Sequence, residues 1–412
     1  MKFKAQLMDE GSVKRALMRI SHEILEKNKG ADDICIVGIR RRGEEIAKRI
    51  AHNIKQIEVI YNNRLVGRLA LTREGLCAFE YSSEWINFGF SISPFELPLR
   101  SGVFIAKSRP FEGGFGVFDD CLPDGWGLMI LDRYLQQNGI NPRTLSLLDR
   151  LALVGSAGRG ALEFRPDNSV VSKQEYADFE KLALDAEQIL DSEDYTGEGI
   201  DEFQYRGGSP GGARPKIFTR YDEKEWLVKF RAKRDSKRIG VEEYNYSLLA
   251  KKCGIEMPET RLFEDKYFGV ERFDRTSNGK LHVVSIAGLI GADYRLPSID
   301  YTHIFQVCAT LTHNVAEMWK VYRLMVFNYL IDNKDDHAKN FAFIYRDDDW
   351  HFAPAFDLLP SDGINGFRTT SINDSIEPTK EDLFAVAVKV GLDKRKFWDI
   401  FESMQNAIRM NK

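Results

Sequence analysis

Apolar residues at positions 13, 16, 17, 20, 24 and 25 recur at helical spacing within residues 8–27, behind an acidic start, and predict an amphipathic helix. The unbroken apolar run ICIVGI (34–39) suits a buried parallel strand, and residues 43–54 predict a second helix. One helix–strand–helix unit is too small to stand as a domain. The period changes near Ile57: IEVIYNNRLVGRLAL alternates on both sides of Asn62-Asn63, a hairpin signal, and CAFEYSSEWI predicts a further strand. Residues 57–110 are therefore expected to form a small antiparallel sheet. The pattern turns helical over 118–153, and 166–206 is acidic and polar with helical stretches. Strand and helix alternate over 215–275, through KIFTR, EWLVKF, a helix over 241–253 and YFGVERFD. From about 283 the chain reads as mostly helical, broken by a polar loop at 332–340 and by the strand-like FAFIY and HFAPAF segments. No internal repeat and no low-complexity tail is evident.

Composition narrows the class. With 412 residues, 43% hydrophobic and 29% charged, the chain can bury a sizeable core in two or three domains. No run approaches the 18 apolar residues of a membrane helix, and the Met-Lys-Phe-Lys start lacks the apolar stretch of a signal peptide, so a cytoplasmic location is expected, with no membrane partner. The five cysteines (Cys35, Cys77, Cys121, Cys253, Cys308) are scattered and never paired as CxxC, which indicates neither a disulfide framework nor a zinc site. A net charge of −4 and a pI near 6.1 argue against a surface that grips nucleic acid all round. A local basic patch, or a partner that binds DNA, stays open.

The strongest chemical signal is the run Asn333-Lys334-Asp335-Asp336-His337-Ala338-Lys339-Asn340, after the apolar LMVFNYLI. Kinase catalytic loops place a base aspartate five residues before a metal-binding asparagine, because one short loop must face both a substrate hydroxyl and Mg²⁺. Asp335 and Asn340 have that spacing. A second acidic ligand must reach the phosphates from a nearby strand, and Asp357 in PAFDLLPS is the candidate. Lys229 in EWLVKF places a charge in an otherwise apolar strand, which is costly without an anionic partner such as a phosphate. Glu242 or Glu243 on the next helix could pair with it, and the sequence does not choose between them. The stretch GGSPGGARPK (207–216), with Gly211, Gly212 and Ala213, is a loop whose amides could approach phosphates; an ordinary hairpin turn has the same composition. Ser209 within it is either a turn residue or a modifiable hydroxyl. VERFDR (270–275) fits a hinge against adenine, with Phe273 packing on the ring, or else a charged strand end.

From Ile57 to near the C-terminus these motifs, together with LPDGWG (122–127) and GRGALEF (158–164), resemble in kind and order the HipA family of bacterial toxin kinases. The resemblance implies an α+β, two-lobed protein-kinase-like fold. Its implied parts are an N-terminal strand-rich subdomain over 57–165, an N-lobe-like region with phosphate loop and hinge over 166–282, and a helical C-lobe over 283–412. It implies ATP and Mg²⁺ as cofactors, Asp335 as base, Asn340 and Asp357 as Mg²⁺ ligands, Lys229 on phosphate, and Glu271 and Phe273 at the adenine. It also implies that Ser209 is an autophosphorylation site and that His337 lies near the phosphates, although a loop-ordering histidine would read the same. Implied partners are a HipB-like helix-turn-helix antitoxin, DNA only through that antitoxin, and a substrate from the translation machinery such as an aminoacyl-tRNA synthetase. An inactive kinase-like corepressor is the alternative, but Lys229, Asp335, Asn340 and Asp357 are all present.

Residues 6–56 resemble a different family, the start of PyrR, the pyrimidine regulatory phosphoribosyltransferase. In that family the strand and the turn at Gly38, Ile39, Arg40, Arg42 and Gly43 form a pyrophosphate loop. The later acidic pair and Thr-Gly loop of a transferase have no counterpart, because Asp119-Asp120-Cys121-Leu122-Pro123-Asp124-Gly125 lacks the threonine and belongs to the LPDG segment. Residues 1–56 are thus expected to be an α-β-α appendage, without transferase activity and dispensable for a kinase; a PyrR-like nucleotide- or RNA-binding regulator is the remaining alternative.

Overall fold

The computed structural model describes residues 56–170, 177–192, 195–207, 211–363 and 365–411, together with isolated positions between 13 and 46. Every described position from 13 to 27 is helical, with Leu17 buried and the Ser21 hydroxyl donating to the Leu17 carbonyl at 2.8 Å. The strand expected at 34–39 and the turn at 38–42 lie outside the described residues.

The first sheet is antiparallel, in the order β4-β3-β2-β1-β5, with β1 Ile57–Tyr61, β2 Arg64–Leu71, β3 Cys77–Tyr81, β4 Val103–Ile105 and β5 Leu162–Arg165. Asn62 and Asn63 close the β1–β2 hairpin with φ of 46° and 63°, the left-handed pair that a type I′ turn needs and that asparagine tolerates. Alternation puts Ile57, Val59, Leu69, Phe79 and Phe164 on one buried face, where Phe118 packs against Phe79 and Phe164.

The second sheet has the order β6-β7-β9-β8, with β6 Lys216–Tyr221, β7 Lys224–Lys229, β8 Thr260–Phe263 and β9 Tyr267–Glu271. Its hairpins turn on Asp222-Glu223 and Glu264-Asp265, again with positive φ. Trp226, Val228 and Phe230 share a core with helices Phe179–Asp191 and Glu198–Gly207, and with Trp126 and Ile130 of helix Gly125–Gln137. That last helix is an arm of the N-terminal part of the chain inserted into the second sheet's core.

After the short ladder β10 (Arg275–Thr276) with β11 (Gly279–Lys280), β12 (His282–Ser285) starts the third sheet, β12-β14-β15. Its other strands are β14 Ala342–Arg346 and β15 Asp349–Phe352; β13 (Ile299–Asp300) and β16 (Thr370–Ser371) form a parallel bridge nearby. Helices Tyr301–Thr312, Val315–Leu330, Lys380–Lys389 and Lys394–Arg409 complete the second lobe, and its core runs without a break into that of the first sheet. Strand β15 ends at Phe352, so HFAPAF is only half strand: Pro354 lacks the amide needed to continue the ladder. Among the described residues, no helix is long and apolar enough to cross a membrane. Cys77, Cys121, Cys253 and Cys308 are free and buried, and burial pushes the Cys77 thiol up to about 12, which leaves it unreactive.

Candidate active site

A solvent-open cleft of about 200 Å³ lies where β7 and β9 face β12, β14 and the segment after β15. Lys229, the last residue of β7, projects into it from a buried position. Its ammonium is ion-paired with Glu243 of helix Ile239–Lys252 and lies 2.6 Å from Asp357 Oδ1. Glu243 is thus the partner; Glu242, one residue earlier, turns away to accept from the Ser236 hydroxyl at 2.8 Å. Burial opposes the charge on Lys229, but Asp357 and Glu243 outweigh it and hold the ammonium above its ordinary range. Reciprocally, Lys229 first and Lys216 next hold the Asp357 carboxyl well below the usual carboxylate range. Asp357 sits in irregular backbone at φ 58°, past the end of β15 rather than on a strand.

The polar loop is built around one buried carboxylate. Asp336 is 1% exposed, accepts from Tyr301 Oη at 2.9 Å and Arg368 Nη1 at 3.2 Å, and its carbonyl accepts from the Thr370 hydroxyl. Its neighbour Asp335 is exposed and, unlike His337, Lys339 and Asn340 of the same loop, is not among the residues that line the cleft. The Asp335 amide donates to Asn333 Oδ1 at 3.2 Å, and Asn340 Nδ2 donates to the Asp335 carbonyl at 2.7 Å, so the five-residue spacing is closed by a direct hydrogen bond. Loss of water around the Asp335 carboxyl, with the Asp357 charge, raises its pKa against the pull of His337 and Arg214. The His337 ring accepts from the Lys339 amide at 3.2 Å, ordering the turn, and the residue lines the cleft. Asn340 and Asp357 also line the cleft.

Gly211 and Gly212 form the opposite rim, whereas Ala213 is exposed and is not among the lining residues described. Ser209 lies outside the described residues. Arg214 is held by Asp235 through two bonds of 3.0 and 3.2 Å. Lys216 at the start of β6 is a second buried lysine, donating to the Gly211 carbonyl; burial and then the Lys229 charge bring it down to about 8. At the far end, Glu271 and Phe273 line the cleft, and Phe273 stacks on Phe356 with centroids 6.1 Å apart. Between them Arg272 also lines the cleft, clamped by Asp274 at 2.9 and 3.0 Å and lying over the Phe218 ring.

Sequence reasoning missed Asp119, Asp124 and Lys339. The buried Lys339 is paired with both carboxylates at 3.0 Å and lies 4.0 Å from the Tyr294 ring centroid. Asp120 accepts from the amide and hydroxyl of Ser285 at 2.7 and 2.8 Å. The LPDG segment that resembled part of a transferase loop is therefore a seam between the first sheet's subdomain and the cleft. Lys216 was findable, by the same argument from a charge in an apolar strand that found Lys229.

Residues 57–165 match the HipA N-terminal domain and residues 208–411 the HipA-like C-terminal domain, so the chain belongs to the HipA family. Among solved structures, HipA of Shewanella oneidensis MR-1, in complex with HipB and its operator DNA, aligns with a TM-score of 0.63 at 19% identity, over 86% of this chain and 91% of that one. That likeness establishes the two-lobed fold. The N-terminal segment is similar to a different family: it is 62% identical over 58 residues to the bifunctional protein PyrR of Clostridium kluyveri and 61% identical over 57 residues to that of Caldicellulosiruptor bescii. The match takes in 14% of this chain and about a third of the length of those relatives, 33% and 31% respectively.

Proposed function

We propose that this chain is an ATP- and Mg²⁺-dependent protein serine/threonine kinase, the toxin of a HipBA-type pair. The observation that carries the reading is the meeting of the Lys229–Glu243–Asp357 ion cluster with the Asp335–Asn340 loop in one cleft. Lys229 and Lys216 supply positive charge for phosphates, and Phe273 with the apolar wall supplies a surface for the base. Asp335 stands free to accept the proton of a substrate hydroxyl. Burial and the Asp357 charge raise its pKa, which strengthens the ionised carboxylate as a base.

The residues fit a magnesium site completed by nucleotide. Asp357 is kept ionised and Asn340 offers an amide, both hard oxygen donors of the kind Mg²⁺ takes in small number beside phosphates. Asp357 and Asn340 would hold such an ion, which would supply positive charge against the charge developing on the phosphates. A HipB-like antitoxin, with DNA reached through it, and a substrate from the translation machinery complete the reading, and a cytoplasmic location suits all of them. An inactive scaffold is disfavoured because no member of the ion cluster or loop is missing. The PyrR-like segment is assigned no transferase activity, since the chain spans only about a third of that protein's length.

Incubation with ATP and Mg²⁺ followed by intact mass measurement tests this reading. The expected result is a gain of one phosphate, mapped to Ser209, with Ser209→Ala still phosphorylating other protein. No phosphate gain and no transfer to any protein would overturn the kinase reading.

A second expectation concerns pH. Burial and then the Lys229 charge bring Lys216 down to about 8 against the pull of Asp357, Asp124 and Glu243, and a phosphate beside it would raise that value. Affinity for ATP is then full below pH 8 and lost as pH rises through it, by up to about tenfold per pH unit. Calorimetric titration across this range checks it, and Lys216→Met is expected to flatten the dependence.

A further inference from the structure

Helix Gly125–Gln137 begins at Asp124, whose extended backbone (φ −126°, ψ 173°) is that of an N-cap, yet its side chain makes no capping hydrogen bond to its own helix. An aspartate in this place ordinarily accepts from the second or third helical amide. Here the second amide, Trp126 N, donates instead to the carbonyl of Gly212 at 3.0 Å, and the Gly212 amide donates to Asp124 Oδ1. Loop and helix have exchanged caps. The approach requires glycine at 125, where a Cβ would meet the Gly212 carbonyl at 2.5 Å, and both Gly125 and Gly212 have the positive φ, 47° and 87°, that favours glycine. The second oxygen of Asp124 accepts from Lys339 Nζ at 3.0 Å, inside the loop that carries Asp335 and Asn340. Arg159 and Lys339 keep the carboxyl ionised against its burial.

We propose that Asp124 is a positioning residue that clasps the glycine-rich loop over the cleft and ties it to the Asp335–Asn340 loop. Nucleotide binding and phosphoryl transfer would thereby both depend on one carboxylate from the N-terminal subdomain. The inference rests on the kinase reading above. Its physical basis is division of labour between two oxygens. One holds the Gly212 amide of the glycine-rich loop, and the other shares with Asp119 the lysine of the loop bearing the base. The exchange also stores an alternative: once the glycine loop leaves, Asp124 can turn back to cap Trp126, so undocking leaves no orphaned helix amide.

The test uses the full chain, with Asp124→Ala and Asp124→Asn, measuring calorimetric Kd for ATP with Mg²⁺ and steady-state kcat and KM for phosphoryl transfer. Asp124→Ala is expected to weaken ATP binding about tenfold and to lower kcat about tenfold, each the size of one lost hydrogen bond to a charged group. Asp124→Asn, near-isosteric and still able to accept from Gly212, should restore Kd to within about threefold while kcat stays low, because its neutral end no longer holds Lys339. A residue that merely supports the fold would not split Kd from kcat between the two variants. Equal ATP binding by the unaltered chain and Asp124→Ala, or parallel losses in both variants, would overturn the assignment alone. No ATP binding by the unaltered chain would overturn the kinase reading together with it.

Discussion

Asp335→Asn and Asp357→Asn are each expected to lower phosphoryl transfer by about a thousandfold while leaving the fold in place. The two carboxylates do different work, and the backbone around each tolerates the amide. Asp335 holds its loop through main-chain groups, its amide on Asn333 and its carbonyl under Asn340, so changing the exposed carboxyl breaks neither bond. What is lost is the proton acceptor. Asp357 sits at φ 58°, a conformation that asparagine adopts about as readily as aspartate, so substitution there adds no backbone strain. It does remove the charge beside Lys229, which falls back on Glu243 alone, and it takes away the ionised oxygen donor for Mg²⁺. Rates of protein phosphorylation measured beside thermal midpoints check the pair. Near-native turnover in either variant would show that its role has been misassigned, and a collapsed midpoint would show that the loss is one of folding.

What the sequence revealed, and what it hid, follows the range of the interactions involved. Lys229 was legible because a lysine between Trp226-Leu227-Val228 and Phe230 needs an anion whatever the fold. The Asp335-to-Asn340 spacing was legible because both ends of one short loop are closed by a local hydrogen bond. The choice of Glu243 over Glu242 was not: consecutive helix residues point about 100° apart, and the rotation of the helix over β7 is set by packing elsewhere. Lys339 and Asp124 are 215 positions apart, and no local pattern announces their contact. The hairpin at Asn62-Asn63 could be read, whereas those at Asp222-Glu223 and Glu264-Asp265 could not, because a glutamate carries no left-handed preference to signal the turn. Asp336 was hidden in a different way, as one aspartate among three in a loop that reads as solvated.

Asp336→Ala is expected to destabilise the protein by about 3–5 kcal/mol, the largest effect on stability of any single change discussed. Its carboxylate is the only charge drawn beside Arg368 among the described ion pairs, and both side chains are almost wholly buried, at 1% and 3% exposure. Removing it strands a guanidinium that cannot shed its proton, together with the hydroxyl of Tyr301 and the amide of Thr370, which also aim at the carboxylate. Burial pushes the Asp336 carboxyl up to about 7 against the pull of Arg368, Tyr301 and Thr370, so the comparison belongs at pH 8, where the group is ionised and the network complete. The buried pair need not be a net gain over an apolar core; what costs stability is breaking one half of it. Asp336→Leu combined with Arg368→Met should accordingly lose markedly less than the sum of the two single changes, while still disordering the loop that presents Asp335. Urea unfolding of the single and double variants measures this coupling. A loss under about 1 kcal/mol for Asp336→Ala, or strict additivity in the double variant, would mean that the loop is held in place by contacts other than the Asp336–Arg368 pair.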